Sequence, residues 1–298
     1  MSYPVLAGSW VALVTPFKNG TIDRDALHRL LDLHLAAHTD GLVICGTTGE
    51  SVTLSVTEKA NLMDAVVKRV GGKIPLMLGT GTNNTAATIE STRHAADLGA
   101  EAVLVVTPYY NKPPQGGLIE HFRATAAVTK LPVVLYNVPG RTGVNLLPAS
   151  ILELANTPNT NVLAVKEASG NLEQAMDILR GAPKGFSLFS GEDALNFPLM
   201  AIGATGTISV TGNVDPRRMK LFNDAARAGK WNEARTIHFE LLDLHRAMFF
   251  EANPIPVKAA LHLMGLIENE YRLPLVPATS STREKLAAVL TKMQLTGK

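Results

Sequence analysis

The chain has 298 residues, a formal net charge of +2 and a 46% hydrophobic composition, enough apolar material for a large core and too little charge to attract polyanions. No Lys/Arg block occurs and no apolar run approaches the ~20 residues of a membrane span, so neither nucleic acid nor membrane is expected as a partner and small molecules are. Cys45 is the single cysteine, which excludes an internal disulfide, and the start M-S-Y-P-V-L-A-G lacks the basic and then apolar pattern of a signal peptide, so a cytoplasmic location is expected.

Residues 8–17, G-S-W-V-A-L-V-T-P-F, read as a first strand stopped by Pro16, and residues 23–38 follow with leucines at helical spacing. Residues 41–46 form a buried second strand, after which Ser55 and Glu58 make a capping box for a helix running to about residue 70. A third strand covers 75–81, and the next helix runs from about residue 85 to a stop at Gly99. Apolar segments at 102–107, 132–138 and 162–165 are each trailed by an amphipathic segment, and those at 186–189 and 206–210 bring the strands to eight. Strands this apolar have no wet face, so the pattern calls for a parallel sheet covered by helices, closed into a (β/α)8 TIM barrel of the α/β class. An open doubly wound sheet would carry a glycine-rich loop after its first strand, and Thr15-Pro16-Phe17 is not one. Asp215-Pro216 caps and starts a further helix, and helices at 231–250, 256–264 and after 280 follow. The expected organisation is a catalytic barrel over 1–225 with a C-terminal helical appendage over 226–298.

In such barrels the chemistry lies at the C-terminal ends of the strands. The second strand ends in G-T-T-G-E (46–50), the fourth in T-P-Y-Y-N (107–111), the fifth in Y-N-V-P-G-R-T-G (136–143) and the sixth in Lys166. Lys166 closes the apolar run N-V-L-A-V-K-E, and an amine held in an apolar setting sheds its proton more easily and attacks carbonyl carbon. A bland reading also exists, in which the lysine stem lies along the strand and its head reaches solvent beside Glu167. In the functional reading Lys166 forms an iminium with a keto acid, and Tyr136 shuttles protons through Thr47 and Tyr110. Backbone N–H groups around Thr47 and Thr48 cradle one carboxylate, and Arg141 holds a second one bidentately.

Rival motifs are incomplete. Gly79-Thr80-Gly81 lacks the third glycine of a dinucleotide loop, Gly71-Gly72-Lys73 is followed by Ile74 and not Ser or Thr, and no G-x-S-x-G occurs. His34 and His38 share a helix face without forming H-E-x-x-H, so no metal is expected.

G-T-T-G-E, T-P-Y-Y-N, Y-N-V-P-x-R-T-G and V-K-E-A-S-G, in this order and spacing, resemble the dihydrodipicolinate synthase family of class I pyruvate-dependent aldolases. The likeness runs from about residue 8 past N-P-I-P-V-K at 253–258, nearly the whole chain. It implies pyruvate bound as a Schiff base on Lys166 without a separate cofactor, aldol addition to L-aspartate 4-semialdehyde, and a place in lysine and diaminopimelate biosynthesis. It further implies catalytic roles for Lys166 and Tyr136 and a proton relay through Thr47 and Tyr110, with Tyr110 supplied by a neighbouring subunit of a homotetramer built from dimers. Thr48, Gly191 and the Ile208 backbone line the pyruvate site in the same reading.

Two alternatives stand beside it. A sister enzyme, N-acetylneuraminate lyase or a 2-keto-3-deoxy sugar-acid aldolase, shares the lysine and tyrosine, but Arg141 suits a second substrate with a carboxylate. A non-catalytic keto-acid sensor has no use for the Lys, Tyr and Thr set. The resemblance also places a lysine-binding regulatory pocket at Tyr109, Asn83 and Ser51. Val56, Lys59 and Ala87 stand where imidazole and carboxylate partners are expected, so L-lysine feedback is expected to be weak or absent.

Overall fold

The computed structural model of the protein describes residues 4–296. Eight apolar segments form the strands β1 Gly8–Ala12, β2 Gly41–Ile44, β3 Leu76–Gly79, β4 Ala102–Val106, β5 Val133–Asn137, β6 Val162–Glu167, β7 Ser187–Ser190 and β8 Gly206–Ser209. They close into a barrel in chain order, with β8 beside β1, and helices lie between them and after them. This is the (β/α)8 architecture read from the sequence. Almost every strand residue is buried, because helices cover one face and the other points into a filled barrel.

The chain divides into two compact units. The first comprises the chain up to Gly8 and Pro75–Ile208. Within it β4 pairs with β5 through Val106↔Tyr136, β5 with β6 through Tyr136↔Lys166, and β6 with β7 through Lys166↔Phe189. The helices Thr85–Arg93, Gln115–Ala126, Pro148–Ala155 and Leu172–Gly181 pack one against the next along this part of the sheet. Asn84 and Asn171 start two of them by accepting the N–H groups of Ala87 and Gln174.

The second unit comprises Ser9–Ile74 and Ser209–Lys298. Its helix Val56–Val70 begins at the capping box read from the sequence: Ser55 Oγ accepts from Glu58 N at 3.2 Å and Ser55 N donates to Glu58 Oε2 at 2.9 Å. It stops at Gly71, whose φ of 55° is the left-handed turn that glycine adopts without strain. Trp10 is wholly buried and pairs with Gly41, where a Cβ would lie 2.2 Å from the indole, so glycine alone fits there. Asp215 caps the helix Pro216–Arg227 as expected. The helices Trp231–Ala247, Ile255–Leu263 and Ser280–Lys292 follow, and the last packs on each of the other two.

Three local details differ from the sequence reading. The first strand ends at Ala12, and Phe17–Lys18 pairs with Thr21–Ile22 as a small antiparallel hairpin. Its turn is Asn19-Gly20, both at positive φ, the two-residue connection that Asn-Gly favours. The helix that begins at Thr85 ends at Arg93, and turns occupy the residues up to Gly99. A one-turn helix, Pro139–Thr142, follows β5 directly.

His34 is buried with Nδ1 3.0 Å from Thr39 Oγ1, and His38 lies beyond the helix end at φ 54°. Burial pushes the His34 imidazole down to about 4 from an ordinary 6.5. Because the folded value lies below the unfolded one, its contribution is complete above pH 6.5, declines as pH falls toward 4, and is constant below that. One such group accounts for on the order of 3 kcal/mol. Chemical denaturation from pH 7 to pH 4 is expected to show falling stability, with a shallower slope in His34→Gln by about one proton. An unchanged slope would mean that the histidine charges freely within the fold.

Candidate active site

Side chains alternate across a strand, so the register Tyr136↔Lys166 puts these two on one face and the next pair, Asn137↔Glu167, on the other. Lys166 is 5% exposed, and its amine stands 4.3 Å from the centroid of the Tyr136 ring. The bland reading of a lysine reaching solvent beside Glu167 therefore fails, because the carboxylate lies behind the strand. Directly after β7, Gly191 N donates to Glu167 O at 2.8 Å, and a Cβ at Gly191 would lie 3.0 Å from Lys166 Cε and 2.8 Å from Ala168 Cβ. The glycine thus leaves room for the lysine stem. Ile208, on β8, is buried. Burial and the adjacent Asp193 raise Glu192 above the ordinary carboxylate range, with Lys166 pulling the other way.

Behind the pair lies a polar cluster that the sequence reading missed. The buried Glu167 carboxylate accepts from Ser169 N at 2.7 Å, Gln174 Nε2 at 3.0 Å and Asn137 Nδ2 at 3.1 Å, all uncharged donors. Asn137 also donates to Asn145 Oδ1 at 2.7 Å and accepts from Leu146 N at 2.9 Å, while Asn145 donates to Gln174 Oε1 at 2.8 Å. Burying a carboxylate without such donors costs several kcal/mol, so the cluster holds the two strand ends in one arrangement. The signal lay in the dipeptides Tyr136-Asn137 and Lys166-Glu167, whose second members must face away from the barrel interior by alternation.

The loop after β4 is tied to the one-turn helix: Thr107 Oγ1 donates to Thr142 Oγ1 at 3.3 Å, and Tyr110 N to Thr142 O at 3.3 Å. Tyr110 has φ 75° and is 88% exposed. A non-glycine residue in that region costs about 1–3 kcal/mol, and here the ring points outside its own chain. Arg141, on the one-turn helix, is exposed as well. Tyr136, Lys166 and Gly191 therefore come together within this unit, and Tyr110 stands apart on the surface.

In the second unit the G-T-T-G-E turn follows β2, bracketed by Cys45 at φ 57° and Glu50 at φ 51°. Gly49 N donates to Gly46 O and Glu50 N to Thr47 O, both at 3.1 Å. Thr48 is buried and accepts from Asn253 Nδ2 at 3.0 Å, and Thr47 is half-buried. Burial pushes the Cys45 thiol up to about 12, which rules it out as a nucleophile near neutral pH. Among the described residues no group of three or more His, Cys, Asp or Glu could hold a metal ion.

The site is thus a buried lysine amine over a tyrosine ring at adjacent strand ends of a parallel (β/α)8 barrel, the end at which such barrels carry their enzyme chemistry. The chain belongs to the dihydrodipicolinate synthetase family, whose pattern it matches over residues 5–293. A 4-hydroxy-tetrahydrodipicolinate synthase of Geotalea uraniireducens is 48% identical over 283 residues, covering 95% of this chain and 97% of the relative. The crystal structure of a dihydrodipicolinate synthase from Thermotoga maritima superposes with a TM-score of 0.96 at 44% identity, covering 98% of this chain and 99% of that one. A dihydrodipicolinate synthase of Acinetobacter baumannii, solved in complex with pyruvate, matches at TM-score 0.94 and 41% identity over 97% of this chain and 99% of its own.

Gly191→Ala is expected to place a methyl group against the lysine stem, at about 1–3 kcal/mol of stability. Displacing the amine by an ångström is expected to lower turnover on the order of 100-fold. Initial rates and thermal melts of the variant check this, and wild-type turnover would show that the stem has room to spare.

Proposed function

We propose that the chain catalyses the condensation of pyruvate with L-aspartate 4-semialdehyde to 4-hydroxy-tetrahydrodipicolinate, the first committed step toward diaminopimelate and lysine. The observation that carries the reading is the buried Lys166 amine against the Tyr136 ring in a chain of this family. The amine attacks C2 of pyruvate, and the carbonyl oxygen leaves as water after two proton transfers, giving an iminium. C3 then loses a proton, and the resulting enamine attacks the aldehyde carbon of the semialdehyde. The amino group of that substrate adds to C2 and displaces Lys166, which closes the ring and returns the free amine. One water is lost in total, and no group besides the amine is needed as cofactor.

Tyr136 is the proton shuttle in this mechanism, with Thr47 and Tyr110 as its relay. The exposure and left-handed backbone of Tyr110 support its use by a neighbouring chain, in a homotetramer assembled from dimers. Thr48, the turn around it, Gly191 and the Ile208 backbone line the pyruvate site, and Arg141 receives the semialdehyde carboxylate. The barrel over 1–225 carries the chemistry and the helices over 226–298 form its appendage. A cytoplasmic setting fits this pathway, and no helix among the described residues is long and apolar enough to cross a membrane.

Pyruvate with borohydride is expected to add a reduced three-carbon group to the intact protein, and Lys166→Ala to abolish it. Arg141→Ala is expected to retain the adduct yet lose roughly tenfold or more in semialdehyde efficiency, the worth of a charge-assisted bidentate contact. Equal loss of both half-reactions would assign Arg141 to pyruvate, and faster turnover of N-acetylneuraminate or a keto-deoxy sugar acid would favour a sister lyase.

Feedback by L-lysine is proposed to be weak. Asn83 and Tyr109 are present, but Ala87 is an exposed methyl in the first turn of its helix and Lys59 is a cation, so an incoming ammonium lacks an anionic partner. Turnover at saturating pyruvate is expected to be nearly flat across a millimolar L-lysine titration. Inhibition at sub-millimolar lysine would require an ammonium-binding group other than these.

A further inference from the structure

The turn Gly46–Glu50 is gripped from the far end of the sequence. Lys258, in the first turns of helix Ile255–Leu263, donates from Nζ to Glu50 Oε1, and both side chains are 0% exposed. Glu50 Oε2 accepts from Arg272 N at 3.2 Å, and the Arg272 guanidinium ties Gly20 O, Thr53 O and the Glu58 carboxylate together. The Lys258 amine lies 4.4 Å from the Phe17 ring centroid and 4.8 Å from that of Tyr271, so aromatic faces surround it where water is excluded. Two more anchors act on the same turn: Asn253 Nδ2 on Thr48 Oγ1 at 3.0 Å, and Thr15 Oγ1 on Gly49 O at 2.7 Å.

A dry ion pair gains little stability over apolar side chains of the same volume, because desolvation consumes the attraction. What it imposes is direction. Glu50 is held in a left-handed backbone conformation, two residues after Thr48, and the helix reaches it through its carboxylate. We infer that Lys258 and Glu50 are positioning residues for the Thr47-Thr48 turn, and that the helices after the barrel thereby set how tightly the site takes the carboxylate of its keto-acid substrate. This rests on the function proposed above.

The test uses the full chain and pyruvate itself. Lys258→Met leaves the buried Glu50 carboxylate without its cationic partner, so both thermal stability and pyruvate binding are expected to fall. The double variant Glu50→Gln with Lys258→Met removes the orphaned charge and is expected to regain most of the melting temperature, yet keep a pyruvate KM raised at least tenfold. Its semialdehyde KM and its borohydride adduct at saturating pyruvate are expected to stay within threefold of wild type. Asn253→Ala, which keeps the ion pair, is expected to raise the pyruvate KM in the same selective way. A double variant with recovered stability and wild-type pyruvate KM would reduce the pair to a structural role and overturn the inference. Wild-type protein that forms no pyruvate adduct would overturn the proposed function and this inference together.

Discussion

The register between β5 and β6 is the constraint from which the chemistry of this protein descends. Period-two alternation makes a strand pair binary: with Tyr136 opposite Lys166, amine and phenol share one face, and Asn137 with Glu167 must share the other. A slip of one residue would send the carboxylate inward and the amine into the helix layer. The Glu167 cluster opposes that slip, since its three uncharged donors lie in positions that only the observed register supplies. Buried polar groups are costly when half satisfied, so the cluster disfavours every neighbouring arrangement more strongly than an apolar contact could. The same register leaves Lys166 buried with its amine over the Tyr136 ring, the position from which the proposed mechanism starts.

The second unit solves a different problem. The turn proposed to receive the substrate carboxylate has unusual dihedral angles at both ends, with Cys45 and Glu50 at positive φ. Residues with a Cβ do not hold such angles unaided. Here the restraint comes from Thr15 and Asn253 on the turn itself and from Lys258 and Arg272 on Glu50. Strain is thus stored beside the proposed substrate site and balanced by contacts made more than 200 residues later in the chain.

Which features were legible in the sequence follows from how local their causes are. The eight strands, the Ser55–Glu58 box and the Asp215 cap each depend on residues within a few positions, and pattern reading located all of them. Lys166 and Tyr136 were legible for the same reason, as polar endings of apolar strands. The Asn19-Gly20 hairpin was a local signal too, passed over where residues 8–17 are read as one strand stopped by Pro16 and followed by a helix. Alternation marks Asn137 and Glu167 as facing away from the barrel interior, but their partners Asn145 and Gln174 and the Lys258–Glu50 pair had no local signal: each joins residues from separate elements, and a lysine in N-P-I-P-V-K looks like any surface lysine until the fold buries it. Burial of a charged side chain is decided by tertiary packing, to which composition and periodicity are blind.

Tyr110 marks where a single chain stops accounting for its own geometry. Its backbone is held in the left-handed region by a loop tied to Thr142, and that strain secures no packing for the ring within this chain. Strain that persists in a fold is balanced by something, and for a large aromatic side chain the available return is burial. A second chain laid against this loop would supply that burial and, in the proposed mechanism, receive a phenol for its proton relay. Assembly and catalysis would then share one residue, so that weakening the interface at Tyr110 lowers proton transfer before it lowers the affinity of Lys166 for pyruvate.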